Sequence, residues 1–340
     1  MRGAQIFDGM SSPLVSGAMA EPADRSDLAR AVSAVVNECL GIREGEDVLV
    51  IANPATLGLG EMLRGEAGRA GADAVLALMA ERITHAAEPP APIAAAMREA
   101  DAVLAPTVQS LSHTASRKAA SEAGARIATL PGVTEELLAR VMSADLAELR
   151  RRGAAIADAL NSGTEARLTC ANGSDLRMGL EGRTAIPDAG ELTAPSAFGN
   201  LPCGEGFISP DDRASEGPLV VDGSIATIGL VDEPVRLTVA DGRLTDASGP
   251  QGQALLDLIR PHGDEAGTIA ELGIGTNEKA QLTGNVIEDE KILGTAHVAF
   301  GASQAIGGRI QVPVHLDCVV MKPTVSIDGT EIVRDGELLL

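Results

Sequence analysis

The stretch GTAHVAFGASQAIGGRIQVPVHLDCVV, residues 294–320, decides how the second half of this chain folds. Its two ends, TAHVAFG and VHLDCVV, are short apolar runs of the kind that forms buried β-strands. Two of the chain's five histidines, His297 and His315, fall inside these runs, and Asp317 comes two residues after the second. In a strand, this spacing places His315 and Asp317 on one face of the sheet. The stretch therefore predicts apolar strands that carry imidazole and carboxylate groups.

Two more segments of the second half place a carboxylate among small or apolar residues. NLPCGEGFISP (200–210) holds Glu205 between two glycines, and AELGIGTN (270–277) holds Glu271. A buried carboxylate is costly unless it is paired or bound to a cation. Three carboxylates and two imidazoles in apolar context therefore indicate a metal site. A hydrogen-bonded structural set explains the same residues, and the residues alone leave both interpretations open.

The first half of the chain alternates short apolar runs with Ala-rich helical stretches. The pattern predicts strands at 47–52, 74–79, 101–105 and 125–130, and helices at 60–71, 93–100, 114–124 and 134–160, the last in more than one piece. Such alternation is typical of a parallel sheet covered by helices. We therefore predict an α/β N-terminal domain with a largely parallel sheet over residues 1–162.

Beyond residue 162 the pattern changes to short strands separated by turns. The turn signals are NGSD (172–175), VDGS (221–224), ADGR (240–243), IDGT (327–330) and RDGE (334–337). Each contains an Asn-Gly or Asp-Gly pair, and such pairs between apolar runs predict β-hairpins. One predicted helix, GQALLDLI (252–259), interrupts the strands. We therefore predict a β-rich α+β C-terminal domain over residues 163–340 that binds metal and carries the catalytic residues.

Composition limits the partners of the protein. The net charge is −21, from 48 acidic and 27 basic residues among 340, which disfavours nucleic acid. Four scattered cysteines without a C-x-x-C pair indicate reduced thiols. Residues 1–22 lack the apolar core of a signal peptide, and no apolar run approaches the roughly 18 residues of a membrane span. We therefore expect a cytoplasmic protein without a membrane partner.

Four motifs in chain order resemble those of the M29 aminopeptidases, also called the aminopeptidase T or thermophilic metallopeptidase family. They are N-x-P-x-G-E-x-x-x-x-P, E-L-G-I-G-T-N, D-E-K-x-x-G-T-x-H-x-A-x-G and H-x-D, and the segment 110–132 also resembles the family's N-terminal domain. The resemblance implies a homodimeric hydrolase that removes N-terminal residues from small peptides with two divalent cations, Zn²⁺, Co²⁺ or Mn²⁺. The ligands that it implies are Glu205, Glu271, His297, His315 and Asp317. It also implies that Glu205 or Glu271 takes a proton from water.

Two positions depart from this resemblance or adjoin the implied ligands. Family peptidases carry a Tyr soon after the motif histidine, but this chain has no Tyr, and Ser303 or Gln304 stands near that place. The departure leaves the peptide substrate in question. Cys203 lies beside Glu205, and we expect its thiol to pack rather than to bind metal.

A more distant resemblance, to the 2,5-dihydroxypyridine dioxygenases, supplies the main alternative. That family implies one Fe(II) held by two histidines and an aspartate. This chain has Glu271 where those proteins have a His, which favours the hydrolase. A different triad of His297, His315 and Asp317 keeps open an iron enzyme or another metal-dependent reaction on a small molecule. A non-catalytic binding protein is the third alternative.

His113 and Arg117, in the segment SHTASR, stand one turn apart at a predicted helix start. They follow a predicted parallel strand, and open α/β sheets bind ligands at that edge. The pair therefore predicts a site that binds a carboxylate or peptide oxygen of the substrate. A capped helix start with a solvated Arg117 explains the same residues, and the sequence alone favours that simpler explanation.

Overall fold

The computed structural model describes residues 25–340, so the expectation about a signal peptide in residues 1–22 lies outside the described range. The α-helices are α1 (Arg25–Ser33), α2 (Leu57–Arg69), α3 (Ala91–Glu99), α4 (Ala115–Glu122), α5 (Glu135–Val141), α6 (Leu146–Asn161), α7 (Gly249–Ile259) and α8 (Val286–Asp289). A π-helical segment, Ala34–Cys39, follows α1. No helix of the described range is long and apolar enough to cross a membrane.

The β-strands divide among three sheets. The strands are β1 (Asp47–Ala52), β2 (Asp73–Leu78), β3 (Ala102–Ala105), β4 (Arg126–Thr129), β5 (Glu165–Thr169), β6 (Asp175–Gly179), β7 (Ile186–Asp188), β8 (Phe198–Asn200), β9 (Glu205–Ile208), β10 (Ser215–Val221), β11 (Ser224–Ile225), β12 (Gly229–Leu230), β13 (Val235–Ala240), β14 (Arg243–Ala247), β15 (Ile269–Gly275), β16 (Ala296–Gly301), β17 (His315–Val320), β18 (Thr324–Ile327), β19 (Thr330–Arg334) and β20 (Glu337–Leu338).

The first sheet is parallel, as the alternation of strands and helices predicts. Its strand order is β2-β1-β3-β4-β8, and every neighbouring pair runs parallel. Strands β3 and β4 are buried along their whole length because helices cover both faces. The predicted N-terminal α/β architecture is confirmed.

Short strand β8 joins this parallel sheet from well beyond residue 162. It pairs with β4, with Ile127 opposite Phe198 and Thr129 opposite Asn200. The chain therefore returns to the first sheet after the two hairpin strands β5 and β6 have formed elsewhere. The domain boundary at 162/163 stays a prediction.

The other two sheets are antiparallel and account for the β-rich second half. Their strand orders are β14-β13-β10-β6-β5-β18-β19-β20 and β12-β11-β17-β16-β15-β9-β7. Apolar side chains from both sheets, among them Leu168, Leu219, Ile274, Val298 and Leu316, form one buried cluster. The other face of the seven-stranded sheet carries the polar side chains described below.

Four of the five predicted turns close hairpins, and one does not. The turns after β5, β13, β18 and β19 each join antiparallel neighbours. The prediction for VDGS (221–224) is wrong, because β10 and β11 lie in different sheets. Asp222 explains the difference, since its carboxylate accepts hydrogen bonds from Asn172 Nδ2 and the Met321 N–H. The carboxylate thereby links two neighbouring chain segments instead of turning a hairpin.

Candidate metal centre

Four adjacent strands bring the five predicted ligands together. The strands are β9, β15, β16 and β17, which are neighbours in the seven-stranded sheet. The register pairs Glu205 with Gly275, Gly273 with His297, Glu271 with Ala299, Ala299 with Asp317, and Gly301 with His315. Paired residues and residues two apart share a face of a sheet. All five side chains therefore project from the same face, and the opposite face carries the apolar core.

Gly273 makes room for one of the predicted ligands, His297. A Cβ atom at this position would lie 2.1 Å from His297 Nε2 and 2.2 Å from Cε1. The imidazole of His297 therefore crosses the neighbouring strand directly over the glycine. This close approach explains why the E-L-G-I-G-T-N segment has glycine two residues after Glu271.

Glu271 lies at the middle of the cluster and uses both of its oxygens. Its Oε1 is 3.2 Å from His297 Nε2, and its Oε2 is 3.4 Å from His315 Nε2. Each imidazole also faces a second carboxylate. His297 Nε2 lies 3.1 Å from Glu205 Oε2, and His315 Nε2 lies 3.3 Å from Asp317 Oδ1.

A hydrogen bond to the backbone fixes the orientation of the His315 ring. Its Nδ1 lies 2.7 Å from the carbonyl oxygen of Ala302, so the Nδ1–H donates to that carbonyl. Nε2 is then the nitrogen that faces Glu271 and Asp317. A metal-binding imidazole is commonly fixed in this way, because the outer hydrogen bond sets the tautomer and leaves the other nitrogen for the cation.

The side chains form overlapping groups that could hold cations. Ligand atoms within 4.8 Å of one another occur in Glu205–Glu271–His297, in Glu271–His315–Asp317 and in Glu290–His297–Asp317. The first two groups, called position A and position B below, share Glu271. Among the described residues, none of the three groups contains both histidines.

The electrostatics of the cluster fit a bound cation. Burial works to lower the pKa of His297, but the close carboxylates of Glu205 and Glu271 raise that pKa well above its usual value. His297 Nε2 carries at most one proton, yet it faces two carboxylate oxygens. Glu205 Oε2 is buried and has no hydrogen-bond partner among the described residues. A cation at position A would satisfy all these oxygens, which a single proton does not.

Position B shows the same pattern. Burial works to lower the pKa of the His315 imidazole, but Asp317 and Glu271 raise that pKa well above its usual value. Burial also works to raise the pKa of Glu271, and the hydrogen bonds from His297 and His315 outweigh it and lower that pKa. Glu271 is therefore held in the ionised form that binds metal.

Three further residues belong to the cluster, and sequence reasoning gave them no role. The Lys291 Nζ, fully buried, lies 2.5 Å from Glu205 Oε1, 2.6 Å from Glu290 Oε1 and 3.7 Å from Asp188 Oδ2. Burial raises the pKa of Glu290 to about 8 and that of Asp188 to about 7. The signal that could have found Glu290 and Lys291 is the D-E-K run before G-T-x-H, and no comparable signal marks Asp188.

His113 reaches the cluster from the segment between β3 and α4, and Arg117 lies in the first turn of α4. The rings of His113 and His315 are stacked, with centroids 6.1 Å apart. Burial and the neighbouring His315 lower the pKa of His113 to about 4. The Arg117 guanidinium lies 4.1 Å above the Phe198 ring, and its Nε–H donates to the Ser112 carbonyl. The capped helix start is also present, since Thr114 Oγ1 accepts from the Arg117 N–H.

The two departures from the aminopeptidase motifs lie outside positions A and B. Ser303 is buried and its hydroxyl accepts from the Ile310 N–H, while Gln304 is exposed. Cys203 packs in the apolar cluster of the first domain, where burial raises the pKa of its thiol well above the usual value. Cys203 belongs to none of the three ligand groups found among the described residues.

Comparison with known proteins links the chain to two groups of enzymes. The sequence profile of the 2,5-dihydroxypyridine 5,6-dioxygenase (NicX) family matches residues 62–340. A 2,5-dihydroxypyridine 5,6-dioxygenase of Pseudomonas putida is 24% identical over 218 residues, which cover 60% of this chain and 62% of that protein. Aminopeptidase PepS of Streptococcus thermophilus is 24% identical over 181 residues, which cover 47% of this chain and 43% of that protein. The matched segments therefore span less than two thirds of either relative.

Solved structures show the same two similarities at the level of the fold. The 2,5-dihydroxypyridine dioxygenase of Pseudomonas putida KT2440 superposes with a TM-score of 0.83 at 20% identity, covering 94% of this chain and 98% of that one. AmpT of Thermus thermophilus superposes with a TM-score of 0.70 at 19% identity, covering 93% of this chain and 100% of that one. The named relatives are enzymes, which supports an enzymatic role here. The chain belongs to the 2,5-dihydroxypyridine 5,6-dioxygenase family and is a distant relative of the M29 aminopeptidases.

Proposed function

We propose that this protein is a metal-dependent hydrolase of the aminopeptidase type, which removes N-terminal residues from small peptides. The observation that carries the proposal is Glu271, whose two oxygens face two separate ligand groups. A carboxylate in this place suits two neighbouring divalent cations, Zn²⁺, Co²⁺ or Mn²⁺, which share it. A mononuclear iron site of the facial-triad type calls instead for two histidines and one carboxylate.

The charge of the cluster supports two cations. Counted in their ionised forms, Asp188, Glu205, Glu271, Glu290 and Asp317 oppose the single ammonium of Lys291. The four negative charges that remain are matched by two divalent cations when both imidazoles are neutral. In the absence of cations, protons on the imidazoles or on Glu290 relieve the same excess.

The side chains have distinct roles in such a reaction. Divalent cations at positions A and B would polarise a scissile carbonyl and make water acidic. Glu271 holds both positions through its two oxygens, so it is poorly placed to move a proton as well. Glu205 is the better placed of the two, because it contributes to position A only, through Oε2, while Lys291 holds its Oε1. We assign Glu205 as the group that takes a proton from water and passes it to the leaving amine of the cleaved peptide bond.

The first domain supplies the proposed substrate contacts. His113 stacks on His315 at one end of the cluster, and Arg117 lies close enough to influence its pKa. The Arg117 guanidinium is held by Phe198 and the Ser112 carbonyl, so it is pre-oriented for a carboxylate or a peptide oxygen. The excess of carboxylates around the metal positions suits the free amine of a peptide substrate.

A second candidate function is dioxygenase chemistry with one Fe(II) on a small aromatic molecule. Membership of the 2,5-dihydroxypyridine 5,6-dioxygenase family and the closer superposition on such an enzyme favour it. His315 and Asp317 would hold the iron, and a third ligand would be Glu271 rather than a histidine. That ligand set has one imidazole, which is why we place this function second.

We also propose a homodimer and a cytoplasmic location. Edge strand β2 exposes Val75 and Leu78, and Ile83 beyond it is 95% exposed, which supports a homodimer formed at this edge. The four cysteines are free, which supports a reducing, cytoplasmic location. Light scattering of the purified protein would give the mass of the assembly directly.

Substrate assays with defined metals separate the two functions. The protein is stripped with a chelator, reloaded with Mn²⁺, Co²⁺ or Zn²⁺, and tested on a panel of aminoacyl-4-nitroanilides and dipeptides. In parallel, it is loaded with Fe(II) and tested for oxygen uptake with 2,5-dihydroxypyridine. Release of the N-terminal residue, abolished by Glu205→Gln, supports the hydrolase. Oxygen uptake without any hydrolysis would replace it by the second candidate.

A further inference from the structure

Lys291 is a cation built into the metal centre. Its side chain is fully buried, and its Nζ contacts Glu205 and Glu290 and approaches Asp188. The backbone around it is fixed, because the Lys291 carbonyl accepts from the Asn277 N–H and its own N–H donates to the Glu288 carbonyl. The ammonium therefore has no route to solvent without disrupting the segment that carries it.

The ammonium touches only one of the two metal positions. Its partner Glu205 is a ligand of position A, with Oε1 on Lys291 and Oε2 facing His297. In position B, Glu271 and Asp317 form ion pairs with the histidines alone, and no described lysine or arginine pairs with either of them. The two positions therefore share Glu271 but differ in how much negative charge they offer a cation.

We infer that Lys291 makes the two positions unequal, so that position B binds a divalent cation first and position A binds one weakly. The inference rests on the two cation positions of the proposed function. A fixed positive charge beside position A repels an incoming cation and neutralises part of the charge on Glu205. Position A then fills only at high metal concentration, and cation supply sets how much of the protein carries two ions.

A purely structural role for Lys291 predicts the opposite effect of removing it. If Lys291 only held Glu205 in place, its loss would free that carboxylate and weaken position A. If Lys291 acts as a competing charge, its loss strengthens position A. The sign of the change in affinity therefore separates the two roles.

Isothermal titration of Mn²⁺ into the metal-stripped full chain and into Lys291→Met provides the test. We expect two binding steps in the native protein, with the second weaker by on the order of tenfold or more. In Lys291→Met the second step should tighten by a similar factor and approach the first. Asp317→Asn should remove the tight step, which assigns it to position B. A single step of two equal sites in the native protein would overturn the inference, as would a weaker second step in Lys291→Met.

A second variant guards against loss of folding. Removing the ammonium alone leaves buried carboxylates unpaired, so Glu290→Gln combined with Lys291→Met removes one negative and one positive charge together. Circular dichroism establishes that each variant is folded, and the double variant should also tighten the second step, by less than Lys291→Met because it loses the negative charge of Glu290 as well. Failure of the native protein to bind any divalent cation would defeat the proposed function and this inference together. Two unequal steps without peptide hydrolysis would defeat the proposed function only.

Discussion

Replacing Glu271 with glutamine should empty both metal positions at once. Gln keeps the shape of the side chain but loses the charge, and Glu271 lies within 3.4 Å of both histidines. Loss of an outer partner of a metal ligand costs about 10–100-fold in affinity, so loss of a ligand that both positions share should cost more than about 100-fold at each. A 100-fold loss corresponds to about 2.8 kcal/mol per cation.

Titration calorimetry of metal-stripped protein measures this loss directly. Glu331→Gln is a suitable control, because Glu331 pairs with Arg334 on the surface of β19, which belongs to the other antiparallel sheet. The control should bind Mn²⁺ like the native protein, while Glu271→Gln should lose both steps and keep its far-ultraviolet circular dichroism. If Glu271→Gln bound two cations within about threefold of the native affinity, Glu271 would not be a shared ligand.

Three more predictions follow from particular contacts. Gly273→Ala should remove binding at position A and leave position B, because the new Cβ would lie 2.1 Å from His297 Nε2; two retained steps by calorimetry would contradict this. Cation binding near neutral pH should release protons, and the affinity for the cation should rise with pH, because the carboxylates hold the pKa values of His297 and His315 well above the usual value despite burial. Titration in two buffers of different ionisation enthalpy measures the proton release, and proton uptake would contradict the prediction. Asp145→Ala should lower the free energy of unfolding by about 1 kcal/mol, because Asp145 Oδ1 caps α6 at the Ala147 and Glu148 N–H groups; urea unfolding with an unchanged midpoint would show that the cap is unimportant.

The regular parts of the fold follow from local sequence. Strand β1 has the predicted bounds, because the apolar run in DVLVIA is preceded by a charged segment and followed by Asn53-Pro54. The helical stretch 134–160 divides into α5 and α6, and Thr134 and Asp145 supply the two N-terminal caps. Strand β8 could not be found in this way, because three residues beginning at Phe198 show no periodicity and are strand only through pairing with β4.

The candidate site was predictable only in part, for a physical reason. The five predicted ligands stand out because charged side chains in apolar strands are unusual. Their mutual arrangement depends on the strand order β9-β15-β16-β17, which local patterns do not encode. Lys291 was missed because its partner Glu205 lies 86 residues away in the chain, and a lysine beside a glutamate is ordinarily a surface feature.

Anomalous diffraction from crystals soaked in Mn²⁺ tests most directly the idea that Glu271 joins two cation positions. Data collected on either side of the manganese edge locate the ions without reference to activity. Two anomalous peaks, one near each oxygen of Glu271, with the stronger beside His315 and Asp317, are the expected result. A single peak that does not contact Glu271, or no peak at all, would contradict the dinuclear hydrolase.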